Sequence, residues 1–408
     1  MSSPSTTAGR HRTGGGGWPL LFVLSGNMLL DAVEVSVVLV ALPAIGADLG
    51  LGLWSVQWLM SGFALGFAAF LLLGPRLTAG WGLRRVYLVA MLVFAAASLV
   101  GGLSANMWIL VGSRVVKGAC AALTAPAGLA LIGETFPAGP RQRRAVSVYS
   151  MFGAYGFSLG LLLSGALVAD SWRWTFLFPV PIALALLVVG HRVIPDVPGR
   201  SAPRFGRALT GNGPLVRAMA GAGSLNGVYI GMLLLATFTM SDGLGWPAWQ
   251  IAFALLPACL PLAVSVPFAG RLIQRFGTSR LIAAGALLAF AAQLLALVRS
   301  GGDARAADSY AWDLLPSLVL VGAAFVVSFA ALNMQATQSA TPELRRAAIP
   351  VYQTGVQVGS IAMLPLVAAL LNPPGGPRSA LLATSVLATA GLAVAATGLR
   401  PRSTEPDS

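Results

Sequence analysis

Charged side chains are scarce in this sequence of 408 residues, at only 10% of the total. A soluble domain carries about 25% charged residues. Hydrophobic residues make up 56% of the chain, and the mean hydropathy is +0.79. Packing in water cannot bury that much apolar surface. The composition therefore excludes an ordinary soluble protein and indicates a chain whose solvent is lipid.

Side chains that bind metals or act in nucleophilic catalysis are also few. The sequence has two cysteines and two histidines. Cys120 and Cys259 fall inside apolar runs and are typical of small buried hydrophobic residues, without the spacing of a metal site or a disulfide framework. His11 and His191 lie at polar segment ends. This pattern argues against a zinc centre or a Ser-His-Asp site, and we expect neither a metal nor a cofactor.

Apolar runs long enough to cross a membrane are abundant. A bilayer core of roughly 30 Å needs about 20 helical residues. Punctuation by Arg, Gly and Pro divides the sequence into twelve runs of about this length, and the first continues too far to be a cleaved signal peptide. The predicted spans are 18–45, 54–75, 85–104, 107–132, 145–169, 174–194, 215–240, 248–270, 280–299, 313–340, 347–371 and 378–399.

A polar linker divides these spans into two sets of six, which predicts an all-α polytopic membrane protein with two six-helix bundles. The N-terminal bundle is expected over 18–194 and the C-terminal bundle over 215–400. The Arg- and Pro-bearing segment 195–214 is the predicted cytoplasmic linker. We expect a disordered cytoplasmic N-terminus at 1–17, because it is polar and rich in glycine, and a short tail at 401–408.

The distribution of arginines predicts the orientation of the chain. With the N-terminus in the cytoplasm, twenty arginines fall in inner segments and four in outer ones, namely Arg173, Arg299, Arg305 and Arg378. Cytoplasmic loops of membrane proteins are enriched in Lys and Arg. We therefore expect a multi-pass protein of the plasma (inner) membrane with both termini in the cytoplasm. The net charge of +13 then reflects topological anchors beside lipid headgroups and does not indicate binding to nucleic acid.

Four acidic and basic residues fall deep inside the predicted spans, away from the span ends. Asp31 and Glu34 lie three apart in the first span, and Arg114 and Lys117 lie three apart in the fourth. Positions i and i+3 share a helix face. Ionisable groups at membrane depth are costly and usually functional. Lys117 is also the only lysine in the chain.

The depths of these charges predict how they pair. Counted from Pro43 near the outer end of the first span, Glu34 lies nine residues deep and Asp31 twelve. Counted from Met107 at the outer end of the fourth span, Arg114 lies seven residues deep and Lys117 ten. At 1.5 Å per residue these depths are similar. The expected pairs are Glu34 with Arg114 and Asp31 with Lys117. Such pairs are either structural salt bridges between two helices or a proton switch, in which a carboxylate binds and releases a proton while a substrate competes for its partner.

The two halves of six spans resemble the major facilitator superfamily and, more narrowly, its drug:proton antiporters. Residues 33–43 (VEVSVVLVALP) are similar to the first-span motif of that group, with Glu34 in the place of its aspartate. The stretch 114–122 resembles the fourth-span arginine motif, with Lys117 in the place of a glutamine. Residues 172–176 (WRWTF) match the W-R-W-x-F segment of the group.

The resemblance implies two pseudo-symmetric bundles with a solute site near the midplane between them. It also implies a proton-coupling role for Arg114. Asp31 is additional to the motif, and we predict that Asp31 and Glu34 carry the protons while Arg114 is their coupling partner. One departure concerns the loop after the second span, which in the family reads G-x-L-x-D-R-x-G and is thought to latch one closed state. Residues 75–85 lack the aspartate and the arginine of that pattern.

Polar residues at cavity-type spacing in the spans are the predicted contacts of the substrate. The alternative for each of these side chains is a structural role, in which it forms a hydrogen bond between two helices. The candidates are Lys117, Asn226, Tyr229, Asn333, Gln335, Tyr352, Gln353 and Gln357.

These features together predict proton-coupled efflux, by antiport, of an amphipathic small molecule such as an antibiotic or secondary metabolite. Its expected partners are that substrate, protons and membrane lipids, with the protein acting as a monomer. Two alternatives stay open. One is a solute transporter that uses no protons, and the other is an intramembrane enzyme on the same fold, with an Asp31/Lys117 or Glu34/Arg114 pair as acid and base.

Overall fold

A computed structural model describes residues 17–137, 139–196, 209, 211–265, 268–300, 310–338, 342–372 and 375–399. Within these ranges the regular elements are all helices. Most of the N-terminal segment 1–17 and of the linker 195–214, and the whole tail 401–408, lie outside the described residues. The expectations for those three segments therefore stay predictions.

The N-terminal half consists of six long helices and two short ones. Short helices lead into the second and sixth spans, where the chain turns at the membrane edge. The elements are α1 (Gly17–Leu49), α2 (Leu53–Val56), α3 (Trp58–Trp81), α4 (Leu83–Leu103), α5 (Met107–Thr135), α6 (Pro140–Val168), α7 (Trp174–Leu177) and α8 (Pro179–Val193).

The C-terminal half continues the series, with a π-helical turn at Thr239–Gly243 after its first helix and another at Tyr310–Leu314 before its fifth. The elements are α9 (Gly213–Phe238), α10 (Ala248–Ser265), α11 (Ala269–Phe276), α12 (Thr278–Arg299), α13 (Leu315–Gln338), α14 (Pro342–Leu371) and α15 (Pro377–Thr397).

These helices confirm the predicted twelve-span membrane architecture. Eleven of the described helical segments are long and apolar enough to cross a bilayer, and α10 supplies the twelfth span with a shorter apolar stretch, Ala248–Cys259. Several helices begin or end a few residues away from the predicted bounds. The first span was expected to end near residue 45, but α1 runs through Pro43 to Leu49. Proline is tolerated inside membrane helices because neighbouring groups satisfy the freed carbonyl.

The two halves repeat one pattern of helix packing, which confirms their pseudo-symmetry. In the first half α1 packs on α6, and α5 packs on both α3 and α4. In the second half α9 packs on α14, and α13 packs on both α10 and α12. Two further contacts join the halves, α3 with α14 and α6 with α10.

The bundles meet mainly on the side of the membrane where α1 ends. Residues 37–42 of α1 are buried there in one hydrophobic core with Leu233 and Leu234 of α9. At the same end Gly165 of α6 lies against Trp249 of α10. The opposite end of the N-terminal bundle has a core of its own, which includes Leu24 and Tyr87. The molecule is therefore closed between its halves on one side.

Candidate functional site

A buried ion cluster centres on Glu34 of α1. One carboxylate oxygen, Oε2, lies 2.6 Å from Arg114 Nη1 and 2.7 Å from Lys117 Nζ, both on α5. The exposed fractions of these side chains are 0% for Glu34, 1% for Arg114 and 0% for Lys117. A buried charge is tolerated only when it is paired and hydrogen-bonded. Glu34 therefore serves as the shared counter-ion of two cations.

Arg114 is held by more than the carboxylate. Its Nη2 donates to the backbone carbonyl of Glu34 at 3.0 Å, and its Nε donates to the carbonyl of Leu59 on α3 at 3.0 Å. The guanidinium carbon also stands 4.6 Å from the ring centroid of Phe63. These contacts tie α5 to both α1 and α3, so a displacement of Arg114 affects three helices at once.

Close approach of α3 and α5 makes this geometry possible. A Cβ atom at Gly118 would overlap the carbonyl oxygen of Phe63, and one at Gly66 would overlap the carbonyl oxygen of Val115. Small residues let membrane helices pack with their backbones in contact. The fourth-span glycine next to Lys117 thus has a packing role that brings Arg114 within reach of Leu59.

Lys117 occupies an enclosure of one carboxylate and two aromatic rings. Its Nζ lies 5.2 Å from the ring centroids of both Phe94 on α4 and Phe176 on α7. Ammonium groups are attracted to the faces of aromatic rings, the more so where water is excluded. Lys117 was predicted to contact the substrate. The structure places it inside the N-terminal bundle and away from the space between the bundles.

Asp31 lies one turn before Glu34 on α1 and has a different environment. Its Oδ2 accepts hydrogen bonds from Asn27 Nδ2 at 3.0 Å and from Thr124 Oγ1 at 3.1 Å. Both donors are uncharged, and Asp31 is buried. Asp31 is therefore a carboxyl group surrounded by neutral partners.

The predicted pairing is right for Glu34 and Arg114 and wrong for Asp31 and Lys117. Lys117 joins Arg114 on Glu34, while Asp31 reaches Thr124, two turns farther along α5. The depth estimate puts Glu34 at the correct level of α5, but depth alone does not decide which side chains face each other. Arg114 and Lys117 lie three apart on one face of α5, so both reach the same oxygen of Glu34.

A cavity of about 440 Å³ lies between the two bundles and is lined by residues of both. Arg114 and Phe63 line it from the N-terminal bundle. Asn226 of α9 and Gln357 of α14 line it from the other side. Asn226 is oriented by hydrogen bonds from its Nδ2 to the Val356 carbonyl and to Ser360 Oγ, at 3.0 and 2.7 Å. Of the predicted site residues, the structure thus brings Arg114, Asn226 and Gln357 to one cavity.

Other predicted contacts of the substrate lie elsewhere. The Tyr229 hydroxyl donates to the Ala258 carbonyl at 3.2 Å, and its ring lies 4.8 Å from that of Phe325 and 6.1 Å from that of Phe157 on α6. Gln335 lines a separate cavity inside the C-terminal bundle, together with Arg217.

The remaining three candidates have no described place in the central cavity. Tyr352 is buried, while Asn333 and Gln353 are half-buried. The backbone carbonyl of Asn333 accepts a hydrogen bond from Thr337 Oγ1. None of the three is among the residues that line the 440 Å³ cavity in the part of the chain described.

Several residues of the site were missed by sequence reasoning. Asn27 lies four residues before Asp31 and so shares its helix face, a signal that was available. Thr124 and Phe94 carried no comparable signal, because helix rotation and interhelical distance decide which of the many apolar and hydroxyl residues face a charge. Phe176 belongs to the W-R-W-x-F segment, a motif that does not by itself place the ring beside Lys117. Ser360 likewise carried no sequence signal, and only its hydrogen bond with Asn226 in the structure identifies it as part of the site.

Chemically, the site combines a cavity between the bundles with two carboxyl groups that have different partners. Glu34 is fixed between cations, and Asp31 is held by neutral donors. Across the described ranges, no three His, Cys, Asp or Glu side chains group closely enough to hold a metal ion. The arrangement is suited to binding a polar or charged group at Arg114 and to holding a proton on a carboxyl group nearby.

Comparison with known proteins gives a consistent family assignment. The sequence model of the Major Facilitator Superfamily matches residues 24–364. The puromycin resistance protein of Streptomyces alboniger is 30% identical, over 87% of this chain and 81% of its own length. The probable actinorhodin transporter of Streptomyces coelicolor is 27% identical, over 84% of this chain and 71% of its own length.

Two further comparisons concern part of the chain and the fold. The tetracenomycin C resistance and export protein of Streptomyces glaucescens is 32% identical, over 46% of this chain and 35% of its own length. The crystal structure of the nucleoside transporter NupG superposes with a TM-score of 0.74, covering 93% of this chain and 100% of that one. At 11% identity this likeness shows the fold alone.

Proposed function

Because the chain belongs to the Major Facilitator Superfamily, we propose that it exports an amphipathic small molecule from the cell in exchange for protons. The single observation that carries the proposal is the position of Arg114. This side chain lines the cavity between the bundles and is at the same time bound to Glu34. A substrate group that competes for the guanidinium therefore acts directly on the buried ion cluster.

The arginine distribution and the closed side support export as the direction of transport. With most arginines in the cytoplasm, both termini are cytoplasmic and α1 ends at the outer face of the plasma membrane. The bundles then meet at the outer face, where residues 37–42 pack with α9. The cavity beside Arg114 is on this view loaded from the cytoplasm or the inner leaflet and emptied outside after the bundles rock against each other.

Charge balance supports Asp31 as the group that takes up the proton. When Asp31 and Glu34 are both ionised, the two acids balance Arg114 and Lys117. Neutralising Glu34 leaves two buried cations without a counter-ion, a state that costs several kcal/mol. Neutralising Asp31 breaks no ion pair, because its partners are Asn27 and Thr124. Proton uptake at Asp31 leaves the cluster net positive, which disfavours a positively charged substrate in the cavity beside Arg114, so the proton and such a substrate bind in turn, as exchange requires.

The relatives support the class of substrate. Three of them are named for resistance to, or transport of, puromycin, actinorhodin and tetracenomycin C. The lining of the cavity agrees with an amphipathic molecule, since Phe63, Ile230 and Leu364 offer apolar surface beside the polar groups of Arg114 and Asn226. Puromycin is therefore the first compound to test.

The test uses purified protein in proteoliposomes with an imposed pH gradient and an internal pH-sensitive dye. We expect wild-type protein to move puromycin, or another member of a panel of lipophilic antibiotics, in the direction opposite to protons. Asp31→Asn is expected to abolish the proton movement. Asp242→Asn removes an exposed acid outside the cluster and is expected to change neither flux.

Two results would count against the proposal. Transport by wild-type protein that ignores the pH gradient would indicate a transporter that uses no protons. Proton movement retained in Asp31→Asn and lost in Glu34→Gln would place the proton on the other carboxyl group.

A further inference from the structure

A second cavity lies on the outer surface of the N-terminal bundle, between α3 and α4. These two helices diverge from their junction at Gly82, and α5 forms the floor behind them. The cavity has a volume of about 710 Å³, and every residue that lines it is apolar. The lining includes Leu77 and Trp81 of α3, Val89 and Val93 of α4, and Val116 and Cys120 of α5. We call this space the α3–α4 groove.

The groove faces the lipid and does not open into the central cavity. Trp81 is 59% exposed and Val89 is 45% exposed. The residues of α3 that line the central cavity, Met60, Phe63 and Ala64, all lie nearer its other end. Along α4 the groove runs from Val86 to Val93, which is about 10 Å at 1.5 Å per residue. It therefore runs along the bundle over a length that part of a lipid acyl chain can fill.

A positive charge stands at the mouth of the groove. Arg85 is exposed, and it lies four residues before Val89 and eight before Val93, on the same face of α4. The neighbouring Arg84 is engaged, because its Nη2 donates to the His191 carbonyl at 2.6 Å. Arg85 has no such engagement with an acid, since both ion pairs among the described residues are made by Glu34. Its guanidinium is available to an anion at the membrane edge.

We propose that the α3–α4 groove binds an anionic phospholipid, with one acyl chain in the groove and the phosphate at Arg85. In a bilayer an apolar groove gains little from an acyl chain relative to free lipid. The headgroup therefore decides which lipid stays, and a basic residue at the membrane surface favours an anionic one. Trp81 lies at the same level, and tryptophan is preferred at the headgroup region of membranes.

A lipid in this groove would contact the same helix, α5, that carries the two cations of the ion cluster. Cys120 and Val116 belong to the floor of the groove, and Arg114 and Lys117 belong to the same helix, α5. This proposal goes beyond the transport function and does not depend on it, because lipid binding is measurable without substrate or proton gradient.

The C-terminal bundle offers a matched control. Gly82 before α4 and Gly277 before α12 have nearly the same backbone conformation, with φ of 80° and 79°. Arg85 and Arg280 each stand three residues after that glycine and are both exposed. A variant at Arg280 removes the same charge from the corresponding position of the other half.

The experiment measures labelling of the full-length protein in nanodiscs by phosphatidylglycerol with a photoreactive acyl chain, read by peptide mapping. We expect labelled peptides from residues 70–123. Arg85→Gln is expected to reduce that labelling about fivefold, the effect of one juxtamembrane charge, and Arg280→Gln to leave it unchanged. Val89→Trp fills the groove from an exposed position and is expected to reduce the labelling without affecting Arg85.

Three outcomes would overturn the proposal. One is equal labelling by photoreactive phosphatidylcholine, which would show that the headgroup charge is not recognised. Another is an equal loss in the Arg85 and Arg280 variants, which would indicate general surface attraction. The third is displacement of the label by puromycin with no effect of Arg85→Gln, which would make the groove a substrate site.

Discussion

The two bundles share a packing plan and differ in what they bury. The N-terminal bundle encloses Asp31, Glu34, Arg114 and Lys117. The C-terminal bundle, in its described part, buries only neutral polar side chains, such as the pair in which Thr384 Oγ1 donates to Gln293 Oε1 at 2.7 Å. Helix pairing depends on apolar volume and small residues, which both halves supply. Buried charge is not needed for this packing, and among the described residues only the N-terminal half has charged side chains in its interior.

The difference suggests a division of labour. Neutral hydrogen-bonding groups, such as those buried in the C-terminal bundle, keep their charge when a proton enters the membrane. In the N-terminal bundle, protonation of a carboxylate changes the net charge of the buried cluster. The central cavity lies between them, with Arg114 on one side and the amides of Asn226 and Gln357 on the other. The N-terminal bundle is thus suited to respond to protons, and the C-terminal bundle supplies a constant wall of the cavity.

The largest effect is expected from Glu34→Gln. The variant leaves Arg114 and Lys117 buried without a counter-ion, and breaking a buried ion pair in this way costs about 3–5 kcal/mol. We expect a large fall in thermal stability in detergent, measured by fluorescence-detected size-exclusion chromatography. Glu34→Gln combined with Lys117→Gln removes one surplus cation and is expected to recover part of the loss. An unchanged melting temperature in the single variant would show that the cluster does not need its shared anion.

The close helix contacts test whether the packing itself is symmetric. A Cβ at Gly118 would overlap the Phe63 carbonyl, and one at Gly359 of α14 would overlap the Gly223 carbonyl of α9. Gly118→Ala and Gly359→Ala are each expected to destabilise the protein by about 1–3 kcal/mol, because overpacking forces the backbones apart. Gly80→Ala, where no atom lies within 4 Å of the added Cβ, serves as the control. A loss in only one of the two bundles would contradict equal packing.

The environment of Asp31 distinguishes the halves by function more than by stability. Thr124→Val removes a hydrogen bond to Asp31 while keeping the shape of the side chain, at a cost of about 1 kcal/mol. We expect substrate-driven proton flux in proteoliposomes to fall severalfold with little change in melting temperature. Thr124→Ser keeps the hydroxyl and is expected to restore the flux. If valine and serine behave alike, the hydroxyl has no part in holding the carboxyl group.

The smallest effect is expected in the neutral bundle. Gln293→Leu alone leaves the Thr384 hydroxyl without its side-chain acceptor, although that group also donates to the Ala380 and Leu381 carbonyls. We expect a loss of stability of about 1 kcal/mol or less and an unchanged ratio of protons to substrate. The double variant Gln293→Leu with Thr384→Val is expected to be nearly neutral. A changed proton ratio in either would mean that the C-terminal bundle also takes part in coupling.

Much of the fold was predictable because a membrane span is recognisable from the hydropathy of its own residues. Hydropathy over twenty residues located twelve spans, and only their ends moved, as where α1 passes through Pro43. The partnership of Glu34 and Arg114 was predictable as well, since few other charges exist at depth. The place of Thr124 beside Asp31 was not, because helix rotation and side-chain length decide which residue of α5 faces Asp31, and depth along a span gives neither.

By itself the sequence determined that the chain lives in a membrane, how many times it crosses, and which four residues carry charge inside it. Those properties depend on the transfer of single residues between water and lipid, so they can be read one segment at a time. Only the tertiary structure decided that one oxygen of Glu34 serves two cations, that Asp31 is left among neutral donors, and that Arg114 alone of the four lines the central cavity. Those properties depend on the rotation and separation of packed helices, which glycine contacts such as Gly118 against Phe63 set to within an ångström.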